Sequence, residues 1–278
     1  MPLFGFFDYT SSGKGIAKNE PVKRPFFKFM ELFSRKFWKL IYVNILYFLF
    51  CLPVVTIGPA TAAMTQVMRK FTLEQPIFVF DEFFTAFKKN FKQGLAVGLF
   101  DIFFVVCFVV AYASYDIRAQ FEPTLFNIAL LSLTIASGIF IWMMHFYIYV
   151  QIAALSLNIR QIVKNSFLFV ILGLKGNLVT LIFSALLFIG MFIFIPFSFF
   201  LMPFIPFAWV CFLTVFNSYP VIQKYIITPY YESKGEKNPE IPDYASDDED
   251  KEEALFEDFG GREAEIKSKP KPKGKVIR

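Results

Sequence analysis

Long runs of apolar residues, broken by short polar and basic segments, set the organisation of this chain. A helix needs about 20 consecutive apolar residues to cross the hydrocarbon layer of a bilayer. The first run is Phe37 to Ile57, interrupted by Pro53 and closed by Gly58-Pro59. The second is Gly94 to Tyr115, and the third is Thr124 to Val150, in which His145 is the one ionisable residue. The stretch Gly176 to Tyr219 is uncharged for 44 residues, too long for one crossing. Pro196, Pro203 and Pro206 divide it, because a proline inside a helix removes a hydrogen bond, so the pattern predicts helices over residues 177–196 and 202–224. The expected fold is all-α: a polytopic transmembrane helix bundle of five spans.

The basic residues set the expected orientation, since cytoplasmic loops of membrane proteins are rich in Lys and Arg. Lys14, Lys18, Lys23, Arg24, Lys28, Arg35 and Lys36 precede the first run. Arg69, Lys70, Lys88, Lys89 and Lys92 follow it, and Arg160, Lys164 and Lys175 lie between the third and fourth runs. The 116–123 loop has only Arg118, against Asp116 and Glu122. A single crossing by 37–57 puts two basic segments on opposite sides. A short returning helix over 59–72 removes that conflict. Pro59 suits its first turn, and Thr61, Ala62, Ala63 and Thr65 are small enough for close helix packing. The expectation is a multi-pass plasma-membrane protein with both termini cytoplasmic.

Two amphipathic segments are predicted as interfacial helices on the cytoplasmic leaflet. Phe80, Phe83, Phe84, Phe87 and Phe91 share one helical face, with Asp81 and Glu82 at the start and Lys88, Lys89 and Lys92 at the end, as the helix dipole favours. Residues 25–39 repeat the arrangement with Phe26, Phe29, Phe33 and Phe37. Three regions follow: a cytoplasmic N-terminal segment (1–36), the helical membrane domain (37–230) and a charged tail (231–278).

Charge separates the last two. Residues 1–230 carry 18 bases and 9 acids, residues 231–278 carry 10 bases and 14 acids. The tail, with acidic Asp247–Asp250 and alternating lysines from Lys267 to Lys275, is expected to be mostly disordered. Membrane lipid is the expected contact of the basic part. No basic stripe outside the membrane flanks suggests a nucleic-acid partner. Cys51, Cys107 and Cys211 each lie inside an apolar run and read as small buried residues, with no metal or disulfide spacing.

Three segments, Cys51-Leu-Pro-Val-Val-Thr-Ile-Gly-Pro-Ala-Thr-Ala-Ala63, Phe87-Lys-Lys-Asn-Phe-Lys-Gln93 and Ile162-Val-Lys-Asn-Ser166, together resemble the bacterial YesL-like family of membrane proteins of unknown function. The resemblance covers about residues 30–230. It implies a polytopic plasma-membrane protein, mostly of Gram-positive bacteria, found alongside sugar-uptake and polysaccharide-degradation systems. An accessory component of carbohydrate uptake, contacting sugar ABC transporter permease subunits, is therefore one expectation. A transporter or channel with its own small-solute pathway is the other.

Enzyme motifs are missing. Gly13-Lys14-Gly15 lacks the first glycine and the Ser/Thr of a phosphate loop, and one histidine cannot build a histidine-rich metal site. No enzymatic activity, metal or cofactor is expected. Ionisable residues at membrane depth are costly and point to function. Asp101 and His145 lie on consecutive antiparallel spans at matching depth, about 10 Å and 8 Å from the same side at 1.5 Å per residue. Asn44 on the first span is expected to share that layer, giving a polar cluster of Asp101, His145 and Asn44. A second candidate is the helix break at Thr56, Gly58, Pro59 and Thr61, because freed backbone groups at membrane depth line binding sites. Lys88, Lys89, Lys92 and Lys164 are the candidate interfacial basic residues.

Overall fold

Helix α1 (Pro25–Phe50) opens with a proline, which loses nothing in a first turn whose N–H is unpaired anyway. Nothing between the amphipathic segment and the first apolar run stops a helix, so the two merge into one element instead of forming a surface helix followed by a span reaching Ile57. A 3₁₀ turn at Val54–Thr56 then leads into α2 (Ile57–Thr72), with Pro59 in its first turn. The remaining helices are α3 (Val79–Lys89), α4 (Phe91–Phe121), α5 (Leu125–Ala154), α6 (Ile159–Leu172), α7 (Leu174–Ile193), α8 (Phe197–Leu201), α9 (Pro206–Ile222) and α10 (Thr228–Lys234). A π turn at Gln223–Ile227 joins the last two. The computed structural model describes residues 24–236 and 238–240. Among them Arg24–Asn238 form one compact unit, with no β-strand. The charged tail and most of the N-terminal segment lie outside the described residues.

Helix α2 is the centre. Gly58, Pro59, Ala60, Ala62, Ala63, Met64, Thr65, Val67, Met68 and Phe71 are all buried, against α1, α3, α4, α5 and α9. Its small residues permit this. At the crossing with α4, a Cβ on Gly58 would lie 2.0 Å from the Gly94 carbonyl oxygen, and one on Gly98 2.8 Å from the Gly58 Cα. Backbone meets backbone there, the arrangement that small residues allow between membrane helices.

Helices α1 and α2 run antiparallel. The Tyr47 hydroxyl meets Thr61 at 3.3 Å near one end, while at the other Lys36 lies over the Phe71 ring and Arg35 pairs with Glu74. The chain thus comes back to the basic part of α1 by Arg69, as the returning helix requires. Helix α3 then runs back along α2. Glu82 accepts from Lys70 at 2.6 Å and from Gln66 at 3.1 Å, and Phe87 reaches Phe50. Gly58-Pro59 therefore sits against Gly94 and Gly98, near the start of α4, rather than at the far side of the bundle.

The aromatic stripe of α1 turns mostly inward, while that of α3 is divided, with Phe80 and Phe84 exposed. Phe29, Phe33 and Phe37 pack on Trp209, Phe212 and Phe216 of α9, while Phe26 is exposed. Phe83 is buried and Phe50 packs on it and on Phe87. The helix ends at Lys89, so Phe91 begins α4, with its ring still against Phe87.

Three helices, α4, α5 and α7, are long and apolar enough to cross a membrane. Helix α1 carries Lys28, Glu31, Arg35, Lys36 and Lys39 between its start and its midpoint region, and α9 has 17 residues. The cysteines depart from expectation. Cys107 is exposed on α4, and Cys51 and Cys211 are only partly buried.

Candidate functional site

Helices α4 and α5 lie side by side and antiparallel, which brings residue 101 of one opposite residues 145 and 149 of the other. The Asp101 carboxylate meets His145 Nε2 at 2.6 Å through Oδ1 and accepts from the Tyr149 hydroxyl at 2.6 Å through Oδ2. His145 Nδ1 meets the Ile141 carbonyl, one turn back on its own helix, at 2.8 Å. Each of the three side chains is thus held by at least one short contact, and the imidazole is gripped at both nitrogens.

Two cavities adjoin the group. One, of about 430 Å³, lies between α4 and α5. Its walls are apolar, among them Phe104, Phe108, Ile139 and Trp142, with Asp101 and His145 supplying the polar floor. A Cβ on Gly138 would meet the Phe108 ring at 2.3 Å, so that glycine lets the ring lie against α5. The other, of about 200 Å³, lies among α1, α2, α5, α7 and α9; its lining is mostly apolar, with Tyr47, Thr61, Thr65, Tyr149 and Thr214 among its residues. His145 lines both cavities, Asp101 the first and Tyr149 the second.

Asp101 and His145 meet as the sequence suggests, but Asn44 does not join them. Its Oδ1 accepts from the Ala208 N–H at 2.7 Å and its Nδ2 donates to the Met202 carbonyl at 2.9 Å. The first turn of α9 has N–H groups with no partner inside the helix. Asn44 is fully buried and serves one of them from a neighbouring helix. Shared depth on a span does not fix which way a side chain faces, and the α9 terminus claims this one.

The helix-break residues separate too. Thr61 reaches the smaller cavity beside His145. The Thr56 hydroxyl donates to the Phe50 and Pro53 carbonyls and closes the turn before α2. Gly58 and Pro59 form the crossing with α4. Lys88, Lys89, Lys92 and Lys164 are all exposed, and the Lys88 ammonium lies 4.1 Å from the centre of the Phe84 ring. Among the described residues no group of His, Cys, Asp and Glu is arranged to hold a metal ion.

Tyr149 escaped the sequence reading. Its signal was its spacing, four residues after His145 on the same helix face. Two further buried contacts were also missed. Tyr147 donates to Asn177 Oδ1 at 2.8 Å, and Gln151 donates to the Ser166 hydroxyl at 2.9 Å. Both tie α5 to the α6–α7 corner.

A family model described as "Protein of unknown function, DUF624" matches residues 40–115, which run from the apolar half of α1 through α2 and α3 into most of α4. The match includes Asp101 and the glycine crossing but not His145 or Tyr149. No curated protein and no solved structure matches the chain.

Proposed function

We propose that this chain is an integral protein of the plasma membrane and an accessory subunit beside other membrane proteins, in carbohydrate uptake as the resemblance to the YesL-like family implies. The observation that carries this reading is the α4–α5 hairpin. From Ile102 to Phe121 and from Leu125 to Trp142, Asn127 is the one buried residue. Lipid suits most of that apolar surface. At 31 residues, however, α4 is about 46 Å long, against a hydrocarbon layer of about 30 Å. With its start beside Lys88, Lys89 and Lys92, the tip stands among the headgroups or beyond. Phe121, Leu125 and Phe126 are 82%, 86% and 70% exposed there. Bare aromatic and aliphatic surface outside the hydrocarbon layer marks a contact with another protein.

The topology in this reading has α4, α5 and α7 crossing, and α9 crossing with the help of the π turn, which extends its helical path to Ile227. Helices α1 and α2 form the fifth element as a pair that enters and returns. Arg69 and Lys70 flank one end of α2, and Lys88, Lys89 and Lys92 lie near the other. Both ends therefore belong to the cytoplasmic half, and both termini are cytoplasmic.

Purification from native membranes in mild detergent tests the role. Permease subunits of a sugar-uptake system are expected to accompany the wild-type chain and to be lost from the combined variant Phe121→Ser, Leu125→Ser, Phe126→Ser. Recovery of the wild type alone sinks the accessory reading. The Asp101–His145–Tyr149 group between two cavities favours a second reading, a transporter with its own pathway. Solute flux through liposomes holding only this purified chain would support it.

A further inference from the structure

We infer that Asp101 and His145 form a proton-binding site at membrane depth, holding one proton between carboxylate and imidazole. The hydrogens needed by the two imidazole contacts require this. The Ile141 carbonyl can only accept, so the 2.8 Å contact puts a hydrogen on His145 Nδ1. The 2.6 Å contact between Nε2 and Asp101 Oδ1 also needs one hydrogen. With Nδ1 already protonated, that hydrogen is one more than a neutral imidazole beside a carboxylate possesses. The pair therefore carries a bound proton and a net charge of zero.

Its position between the two partners follows as well. Tyr149 donates to the other carboxylate oxygen at 2.6 Å, and a hydrogen bond to the ionised form favours that form. The loaded state is imidazolium beside carboxylate. Unloading removes the Nε2 hydrogen and leaves a lone pair facing a carboxylate oxygen, with a net charge of −1. The Nε2–Oδ1 contact between α5 and α4 is then lost, and the Tyr149 hydrogen bond to Asp101 is left to tie the two helices at this level.

A route for the proton exists on one side. The smaller cavity, about 200 Å³, has room for several waters, at roughly 15 Å³ needed for each. Thr61, Thr65 and Thr214 give their hydroxyl hydrogens to carbonyls one turn back; the Thr61 oxygen meets the Tyr47 hydroxyl and the Thr65 oxygen the Cys211 thiol, so the Thr214 oxygen is the one of the three left to accept from water. The departing proton passes from Nε2 to such a water. The groups that face His145 are few. Asp101 comes from α4 and Tyr149 from its own helix, while α1 and α9 bring Tyr47 and Cys211; Thr61 and Thr65 of α2 and Phe188 of α7 carry no charge.

The chain has a single histidine, so ring-¹⁵N labelling of histidine reports this site alone. In lipid nanodiscs at pH 7, nuclear magnetic resonance of the wild-type chain is expected to show both ring nitrogens protonated. Asp101→Asn is expected to abolish the Nε2–H signal and return a single tautomer with the hydrogen on Nδ1. A wild-type spectrum with one bare nitrogen overturns the inference, and so does an Nε2–H signal that survives in Asp101→Asn. Should that variant fail to fold, the wild-type spectrum still decides. The result is independent of co-purification, so the site and the accessory role stand or fall separately.

Discussion

Helix α2 and the α4–α5 hairpin invert the usual relation between apolarity and burial. Helix α2 holds Gly, Ala, Thr and Gln, carries Arg69-Lys70 in its last turn, and is the most enclosed helix of the bundle. Helix α5 is among the most apolar, yet only 6% of its most apolar 18-residue window is buried. In water the hydrophobic effect drives the apolar helix inward. In lipid the tails are as apolar as leucine, so close backbone packing and hydrogen bonds decide what goes inside. Small residues then win the centre, and Phe, Val and Ile take the outside. The difference between these two regions is what lipid as the solvent would produce.

Substitutions at closely packed and at open positions sharpen the contrast. The largest effect is expected at Gly58→Leu. Its side chain has nowhere to go but into the α4 backbone, and the loss of stability should be about 3 kcal/mol or more, read as the midpoint of thermal unfolding in detergent. Next is Asn44→Leu, which leaves the buried Ala208 N–H and the half-buried Met202 carbonyl without this partner. A loss of about 2 kcal/mol is expected. Tyr147→Phe removes one buried hydrogen bond to Asn177 and should cost about 0.6 kcal/mol, the average for polar contacts between membrane helices. The smallest effect is expected at Gly190→Ala on α7, where a Cβ meets nothing within 4 Å; a change within about 0.5 kcal/mol fits an open surface position. Equal sensitivity at Gly58 and Gly190 would erase the contrast.

Much of this was legible in residues and spacing. Prolines and glycines marked the breaks, and the small residues of 59–72 marked the helix that others would pack against. The matched depths of Asp101 and His145 identified a pair on adjacent spans. Other features depend on contacts between distant segments. Asn44 binds Met202 and Ala208, more than 150 residues away, and no local pattern points there. The Phe stripes of α1 and α3 have the same periodicity whether they face lipid headgroups or α9 and Phe50. The Gly58–Gly94–Gly98 crossing needs the fold of both helices before the glycines mean anything. Burial of Cys107 was read from its apolar neighbours, and the same neighbours face outward.

The central claim is that the exposed face of α4 lies in lipid, and Cys107 sits on that face. In a variant carrying Cys51→Ala and Cys211→Ala, a water-soluble maleimide applied to sealed and to opened membrane vesicles measures it directly. The account predicts no labelling of Cys107 on either side until the protein is denatured in detergent, and full labelling afterwards. Rapid labelling of the folded chain in intact membranes would contradict it.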